Sequence, residues 1–188
     1  TGAGERTLGE IIKKTALPRK YGLLLYRLAA YFRPVNILEL GSGAGFSTMY
    51  LACGNDSARI VGMEGNPALC EIAGEHLRKL GVGNVEILQG NFDALLPEAL
   101  QQMERLDFAF IDGNHRKTAT LEYFKLLLDV SGDDTLLVFD DIHWSRGMAD
   151  AWQAIAAHPR VTLTIDLFRM GLVFCRQGLS KQQLTIRY

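Results

Sequence analysis

Short apolar segments alternate with amphipathic segments along most of the chain, and this alternation restricts the fold more than any other sequence feature. The apolar segments predict five strands, at residues 35–40, 60–63, 85–88, 108–111 and 135–139. Helical spacing of apolar residues predicts the helices between and after them, at 46–53, 67–80, 95–105, 117–130 and 148–157. Because strands that are apolar on both faces need helices on both sides, this order indicates a parallel sheet in a three-layer αβα sandwich.

Two further apolar segments close the pattern. Residues 161–168 and 171–175 are separated by a short turn around Arg169-Met170, which predicts an antiparallel hairpin. Added to the five parallel strands, the hairpin gives a doubly wound, mostly parallel sheet of seven strands. We therefore expect an α/β fold.

The remaining segments fit one domain over residues 1–188. Residues 5–33 have helical spacing, and Pro18 divides them into two helices, the second of which ends at Pro34. No repeat or linker interrupts the chain. We expect N-terminal helices at 1–34, a core at 35–176 and a C-terminal tail at 177–188.

The charge balance and the cysteines argue against several function classes. Twenty Lys and Arg residues against twenty-one Asp and Glu residues leave a net charge of −1, whereas a nucleic-acid-binding or polybasic membrane-binding surface carries a cationic excess. The three cysteines are scattered and form no Cys-x-x-Cys pair, which favours free thiols in a reducing compartment. We expect a cytoplasmic protein with neither a nucleic-acid nor a membrane partner. The sequence carries no signal of oligomeric state, and a homodimer is compatible with it.

A glycine-rich turn, Gly41-Ser42-Gly43-Ala44-Gly45, directly follows the first predicted strand. Ligands of open α/β sheets bind beyond the carboxyl ends of the strands, so we expect this turn to line the ligand crevice. A dinucleotide fingerprint would need a third glycine where the chain has Phe46. No Lys or Arg lies between residues 34 and 58 to pair with a pyrophosphate, and Glu39 precedes the turn. The pattern therefore favours a ligand that is locally cationic.

The motif Glu39-x-Gly41-x-Gly43-x-Gly45 resembles the first motif of class I S-adenosylmethionine-dependent methyltransferases, and the resemblance extends in order over residues 35–175. It implies a Rossmann-like fold with S-adenosyl-L-methionine as cofactor. In such proteins the glycine turn, here with Ser42, lets backbone approach the cofactor, and the preceding acid lies near the methionine ammonium group.

Acidic residues at the ends of the next strands are the other cofactor contacts that the resemblance implies. Glu64, after the second strand, would bind the ribose hydroxyls, and Asp93, after the third, would bind the adenine amino group. Asp112, after the fourth, would complete the set. Simpler interpretations remain open: Glu64 as a solvated residue at a strand end, and Asp93 as the N-cap of the helix that follows.

The fourth and fifth strands end in Asp112-Gly113-Asn114-His115 and Asp140-Asp141-Ile142-His143-Trp144, each with a histidine three residues after an aspartate. An adenine- or glutamine-directed N-methyltransferase would instead carry an Asn/Asp-Pro-Pro-aromatic motif after the fourth strand. The pattern resembles the catechol and caffeoyl-CoA O-methyltransferases. That resemblance implies a catalytic base at His115 and a Mg²⁺ site formed by three residues, Asp112, Asp140 and Asp141. Two positions depart from the family pattern, because Asp141 replaces an Asn and His115 replaces a Lys.

These residue types suit methyl transfer to an oxygen atom. In-line displacement at a sulfonium needs alignment of donor and acceptor, worth about 7–11 kcal/mol when complete, and a base for the acceptor's proton. His115 is the first candidate for this base and His143 the second, since a neutral imidazole accepts a proton near neutral pH. Helix capping is the simpler interpretation of His115 and of the Asp140–Asp141 pair, and closing a loop is the simpler interpretation of His143. We expect O-methylation of a small-molecule acceptor; a non-catalytic S-adenosylmethionine-binding regulatory module and a methyltransferase acting on nitrogen or RNA are the alternatives.

Overall fold

The computed structural model describes residues 17–188, which form six helices and eight strands. The helices are α1 (Arg19–Phe32), α2 (Phe46–Gly54), α3 (Pro67–Lys79), α4 (Phe92–Gln102), α5 (Lys117–Asp129) and α6 (Arg146–Ala157). The strands are β1 (Asn36–Leu40), β2 (Arg59–Glu64), β3 (Val85–Gln89), β4 (Leu106–Ile111), β5 (Ser131–Phe139), β6 (Leu163–Asp166), β7 (Gly171–Phe174) and β8 (Gln182–Thr185). The first of the two predicted N-terminal helices falls on residues that lie almost entirely outside the described part of the chain.

All eight strands form one sheet in the order β3-β2-β1-β4-β5-β7-β6-β8. The first five strands of this order are parallel to one another, and β7 runs antiparallel to both β5 and β6. This confirms the doubly wound, mostly parallel sheet with an antiparallel hairpin. Strand order reverses between β1 and β4, which is where ligands bind in open α/β sheets.

The sheet has eight strands rather than the predicted seven. Residues Gln182–Thr185, which we expected in the C-terminal tail, form β8 and pair in parallel with β6. All four residues of β8 are exposed. An edge strand of this kind is held largely by backbone pairing, so it lacks the apolar pattern by which a strand is recognised in a sequence.

Both faces of the sheet are covered, as the apolar strands predict. Alternate residues of a strand point to opposite faces, and in β4 they enter two separate cores. Ala109 and Ile111 belong to the core formed with α4, α5 and α6, whereas Phe108 and Phe110 belong to the core formed with α1 and α2. Burial of a large apolar side chain stabilises a fold by about 1.5–3 kcal/mol, so these two cores fix the strand positions.

Two elements differ from their predicted bounds in ways that affect the ligand crevice. Helix α4 begins at Phe92 instead of residue 95, because the side chain of Asn91 accepts a hydrogen bond from the Asp93 N–H (3.0 Å) and caps the helix. Strand β6 ends at Asp166, since the chain then turns back and the Leu167 N–H donates to the Met170 carbonyl (2.8 Å).

The sheet register brings the ends of four strands together. Leu40 of β1 pairs with Met63 of β2 and with Ile111 of β4, and Ile111 pairs with Phe139 of β5. The segments that follow these strands therefore leave the sheet side by side at one edge. Within residues 17–188, no helix has the length and apolar character needed to cross a membrane.

Candidate active site

A cleft of about 490 Å³ opens at the carboxyl ends of the parallel strands. Seven of the predicted site residues line it: Gly41, Ser42, Gly43, Glu64, Asp112, His115 and Asp141. A larger and more open depression of about 860 Å³ lies between α3 and β3. We place the candidate site in the smaller cleft, because it is the one that gathers imidazole and several carboxylate groups.

The glycine turn has a left-handed backbone that permits a very close approach to β4. Gly41 has a φ of 94°, and a Cβ atom at this position would lie 2.1 Å from the carbonyl oxygen of Asp112. The Gly41 and Ser42 N–H groups both donate to the carbonyl oxygen of Met63 (2.9 and 3.0 Å), which ties the turn to β2. The turn therefore presents backbone to the cleft with little side chain in the way.

Glu39 lies beneath the glycine turn and is fully buried. Its Oε2 atom accepts hydrogen bonds from the hydroxyls of Ser42 (2.9 Å) and Thr48. Its Oε1 atom has no hydrogen-bond partner within residues 17–188. Burial raises the pKa of Glu39, although the hydroxyl hydrogen bonds oppose this shift. The resemblance implied a carboxylate beside an ammonium group, and the partnerless Oε1 is the atom that such a cation would satisfy.

Glu64 lies at the end of β2 and is oriented by two backbone groups. Its Oε2 atom accepts from the Gly43 N–H (2.9 Å) and its Oε1 atom from the Asn66 N–H (2.7 Å). Each carboxylate oxygen can accept a second hydrogen bond. The side chain therefore has acceptor capacity left for a pair of hydroxyl groups in the cleft.

Asp93 lies outside the cleft, in contrast to the predicted contact with an adenine. It is exposed in the first turn of α4, where its Oδ1 atom accepts from the Tyr123 hydroxyl (2.7 Å). Tyr123 accepts in turn from the amide of Asn114 (3.0 Å). The capping role that we kept open for Asp93 belongs to Asn91. The residue of this segment that lines the cleft is Phe92.

Asp112, His115 and Asp141 converge where they line the cleft. The Nε2 atom of His115 lies 3.7 Å from Oδ1 of Asp112 and 3.9 Å from Oδ2 of Asp141. Burial, followed by the charges of Asp140 and Asp141, raises the pKa of Asp112 well above its ordinary value. Burial and the charge of Asp140 likewise raise the pKa of Asp141. The three carboxylates therefore repel one another, and a cation beside them is favoured.

Arg169, in the turn between β6 and β7, supplies such a cation. Its Nε atom donates to Oδ1 of Asp140 (2.9 Å) and its Nη2 atom to Oδ2 (2.7 Å). Nη2 also lies 3.4 Å from Oδ1 of Asp141. Burial acts to lower the pKa of Arg169. The hydrogen bond to Asp140 and the negative charge of Asp140 outweigh this effect, so the pKa of Arg169 is raised overall.

His143, the second predicted base, has a different environment from His115. Its Nε2 atom lies 2.8 Å from Oδ2 of Asp166, which also accepts from the indole N–H of Trp152 (3.2 Å). The imidazole is exposed outside the cleft, beside the end of β6. The contact between His143 and Asp166 therefore attaches the loop after β5 to the end of β6.

The expected Mg²⁺ site does not fit this arrangement at Asp140. Both carboxylate oxygens of Asp140 accept from Arg169, and its side chain has no exposed surface. Mg²⁺ needs near-octahedral coordination and usually keeps several waters, which a fully covered carboxylate cannot accommodate. Asp112, His115 and Asp141 still bring one ligand atom each within 4.8 Å of one another, but imidazole is not a ligand that Mg²⁺ prefers.

Three residues that line the cleft were not among the predicted contacts. Phe92 belongs to the segment that resembles an adenine-contacting one, but the contact was expected from its neighbour Asp93. Trp144 is 73% exposed in the loop after β5, and Arg169 belongs to a hairpin turn whose place over β5 is a tertiary property. Only a predicted strand order that put β7 beside β5 would have brought Arg169 near the aspartates.

Comparisons with known proteins agree with this geometry. Residues 38–142, more than half of the chain, match the methyltransferase-domain family. A catechol O-methyltransferase from Niastella koreensis is 32% identical over 124 residues, which cover 64% of this chain and 55% of that protein. A catechol O-methyltransferase from Mycobacterium tuberculosis is 28% identical over 155 residues, which cover 81% of this chain and 69% of that protein.

A solved structure extends the likeness to three dimensions. The O-methyltransferase from Bacillus cereus, crystallised with S-adenosylhomocysteine (SAH), superposes with a TM-score of 0.69 at 26% identity and covers 91% of each chain. The chain spans little more than half the length of the Niastella protein. The matched residues run from β1 through the loop after β5 and so include the glycine turn and the three aspartates. On this evidence the chain belongs to the methyltransferase-domain family.

Proposed function

We propose that the protein is an S-adenosylmethionine-dependent methyltransferase that transfers a methyl group to an oxygen atom of a small molecule. The observation that carries the proposal is the cleft, which an open glycine turn and Glu64 line together with His115 and the carboxylates around it. Family membership and relatives named as catechol O-methyltransferases support both the cofactor and an oxygen acceptor.

The part of the cleft around Glu64 suits the nucleoside of the cofactor. The two carboxylate oxygens of Glu64 each keep acceptor capacity for a ribose hydroxyl. Phe92 offers an aromatic ring for contact with the adenine, in place of the hydrogen bond expected from Asp93. Within residues 17–188, a Cβ atom at Gly43 would meet no atom of another segment within 4 Å, so the turn leaves open space for the remainder of the cofactor.

His115 is the proposed general base. As the acceptor oxygen attacks the methyl carbon, its proton moves to the imidazole, the S–CH₃ bond breaks and the sulfur keeps the electron pair. The carboxylates of Asp112 and Asp141, 3.7 and 3.9 Å from Nε2, stabilise the imidazolium that forms. A base in this position contributes about 10²–10⁴-fold to such a step.

The finer expectations on location and assembly stay predictions. A cytoplasmic location and the absence of a nucleic-acid partner rest on the charge balance and the cysteines alone, and a homodimer rests on no sequence signal. No observation on the cleft favours a regulatory module or a nitrogen or RNA acceptor over an oxygen acceptor. A regulatory module would bind SAH without turnover, and turnover therefore separates it from an enzyme.

Calorimetric titration with SAH tests the cofactor assignment. We expect one SAH per chain, and about 10- to 100-fold weaker binding by Glu64→Gln, because a hydrogen bond to a charged group is worth about 1.5–3 kcal/mol. Glu75→Gln is the matched control, since Glu75 lies exposed on α3 and pairs with Lys79. Lack of binding to folded protein at millimolar SAH would exclude the proposed function. Methylation of a catechol, followed by mass spectrometry, then tests the oxygen acceptor.

A further inference from the structure

The turn between β6 and β7 fixes Arg169 against the end of β5. The carbonyl oxygen of Arg169 accepts from the Ile142 N–H (3.0 Å), so the turn is bonded to the residue that follows Asp141. The Leu167 N–H closes the turn on Met170 (2.8 Å). Both ends of the arginine are therefore positioned, the backbone by these bonds and the guanidinium by Asp140.

The pairing of Arg169 with Asp140 leaves the cation facing the cleft. Two parallel N–H···O bonds of 2.9 and 2.7 Å occupy the two oxygens of Asp140, a fork geometry that Lys cannot reproduce. The Asp140 side chain has no exposed surface, whereas that of Arg169 keeps 32% of its surface and lines the cleft. Within residues 17–188, the Nη1 group has no hydrogen-bond acceptor. Asp140 thus anchors a cation that still has donors to offer.

A second observation couples Arg169 to a departure from the resembled sequence pattern. Asp141 stands where an Asn is expected and adds one negative charge to the site. Arg169 adds one positive charge 3.4 Å from the Asp141 carboxylate. The anion at the position that departs from the pattern and the guanidinium of Arg169 are therefore neighbours, as they should be if one balances the other.

We propose that the guanidinium of Arg169 is the resident cation of the acceptor site, so that methyl transfer proceeds without a bound divalent metal ion. This inference rests on the proposed function. The N–H groups of Arg169 that Asp140 leaves free donate to the acceptor oxygen while its proton passes to His115. The methyl group then moves from sulfur to oxygen, and Arg169 stays protonated throughout.

A divalent ion would have to enter beside this guanidinium. Asp140 is covered, so the ion would depend on Asp112, His115 and Asp141, the last of which already faces Nη2 of Arg169. Repulsion between the two cations opposes binding there. Removal of the guanidinium would uncover Asp140 and leave three carboxylates without an arginine partner. Both obstacles to a divalent ion, the covered carboxylate and the repulsion between cations, would then disappear. Arg169→Ala is therefore expected to acquire a metal site that the wild-type protein does not have.

Titration with Mn²⁺, followed by electron paramagnetic resonance, measures this directly and needs no acceptor. We expect no stoichiometric Mn²⁺ binding by the wild-type protein, with or without SAH, and one bound Mn²⁺ in Arg169→Ala. Arg146→Ala is the matched control, since Arg146 is exposed at the start of α6. Tight, stoichiometric binding by the wild-type protein would overturn the inference, and so would equal binding by the wild-type protein and a folded Arg169→Ala.

Turnover with a catechol as acceptor is the second measurement. We expect wild-type activity to be insensitive to EDTA, and Arg169→Ala to lose about 10²–10³-fold, as on loss of a donor to a developing oxyanion. Arg169→Lys keeps the positive charge but not the two parallel hydrogen bonds to Asp140. Its turnover should therefore lie between those of the wild-type protein and Arg169→Ala, and it should still exclude Mn²⁺. If Arg169→Ala does not fold, the wild-type titration and Arg169→Lys decide. SAH calorimetry on the same samples tests the proposed function separately, because SAH binding with tight Mn²⁺ binding would refute this inference alone.

Discussion

At the scale of single residues, Glu39 is expected to destabilise the ligand-free protein, because its buried carboxyl group lacks the cation that a ligand would supply. Its carboxyl group is fully buried, one oxygen has no partner within residues 17–188, and burial raises the pKa of Glu39. A carboxyl whose pKa is raised on folding favours the native state while it is protonated, and this contribution disappears as the pH rises through the raised pKa. Above the ordinary pKa of a glutamate, the burial of Glu39 therefore opposes folding unless a cation lies beside it.

Glu39→Gln tests this interpretation through pH. Because glutamine is neutral like the protonated acid, we expect similar melting temperatures for the two proteins at about pH 3, which lies below the ordinary pKa of a glutamate, so that Glu39 is protonated in both the folded and the unfolded state. The variant should become the more stable protein as the pH rises. The pKa of Glu39 is raised in the folded protein, so the wild-type protein loses stability once the unfolded carboxyl ionises, whereas the glutamine variant does not. Thermal unfolding at a series of pH values measures the difference. A constant difference across the series would contradict it.

Substitution of the two histidines that were predicted as bases should have different effects. His115→Gln removes the imidazole between Asp112 and Asp141, so we expect kcat with a catechol to fall about 10²–10⁴-fold while the SAH affinity stays close to wild type. His143→Gln removes a hydrogen bond to Asp166 outside the cleft, so its main effect should be on thermal stability, by about 0.5–1.5 kcal/mol. A larger loss of kcat in His143→Gln than in His115→Gln would reverse the assignment.

At the scale of elements, the turn between β1 and α2 is the part of the site with the least steric freedom. Gly41→Ala places a methyl group 2.1 Å from the Asp112 carbonyl oxygen on a backbone with a φ of 94°. We expect it to destabilise the fold and weaken SAH binding together, because both depend on the contact between this turn and β4. Calorimetry and thermal unfolding of the same sample measure the two effects.

Gly74→Ala is the matched control for this substitution. Within the described residues, a Cβ atom at Gly74 meets no other atom within 4 Å, and the position is an exposed one in α3. Alanine in a helix is about 0.5–1 kcal/mol more favourable than glycine. We therefore expect Gly74→Ala to raise the stability slightly with unchanged SAH affinity. Equal behaviour of the two alanine variants would show that the tight turn is not required.

The elements also show which features a sequence can reveal. Strands such as β4 were predictable because both of their faces are apolar, and Asp112 and Asp141 were predictable as neighbours because each follows such a strand. Strand β8 has no apolar pattern and is held by its pairing with β6. The start of α4 depends on capping by Asn91, which the apolar spacing does not record.

At the scale of the whole molecule, the cleft joins segments from both sides of the strand-order reversal. Glycine-turn residues come from β1, Glu64 from β2, Asp112 from β4 and Asp141 from β5, and Arg169 comes from the hairpin at the far side of β5. The position of Arg169 was therefore the least predictable, because it depends on the order of seven strands and on no local pattern. A ligand that fills the cleft contacts all of these segments at once.

Binding should therefore stabilise the molecule as a unit. At a free SAH concentration of about 100 times the Kd, linkage adds about 2.7 kcal/mol to the free energy of unfolding. For a chain of this size that corresponds to a rise in melting temperature of roughly 5–10 °C. NAD at the same concentration should give no shift, since Phe46 replaces the third glycine of a dinucleotide site and the carboxylates of Glu39 and Glu64, which adjoin the turn, would repel a pyrophosphate. Glu64→Gln should reduce the SAH shift at a fixed concentration. A larger shift with NAD than with SAH would mean that the turn holds phosphates, and the assignment of the cleft to a sulfonium cofactor would then be wrong.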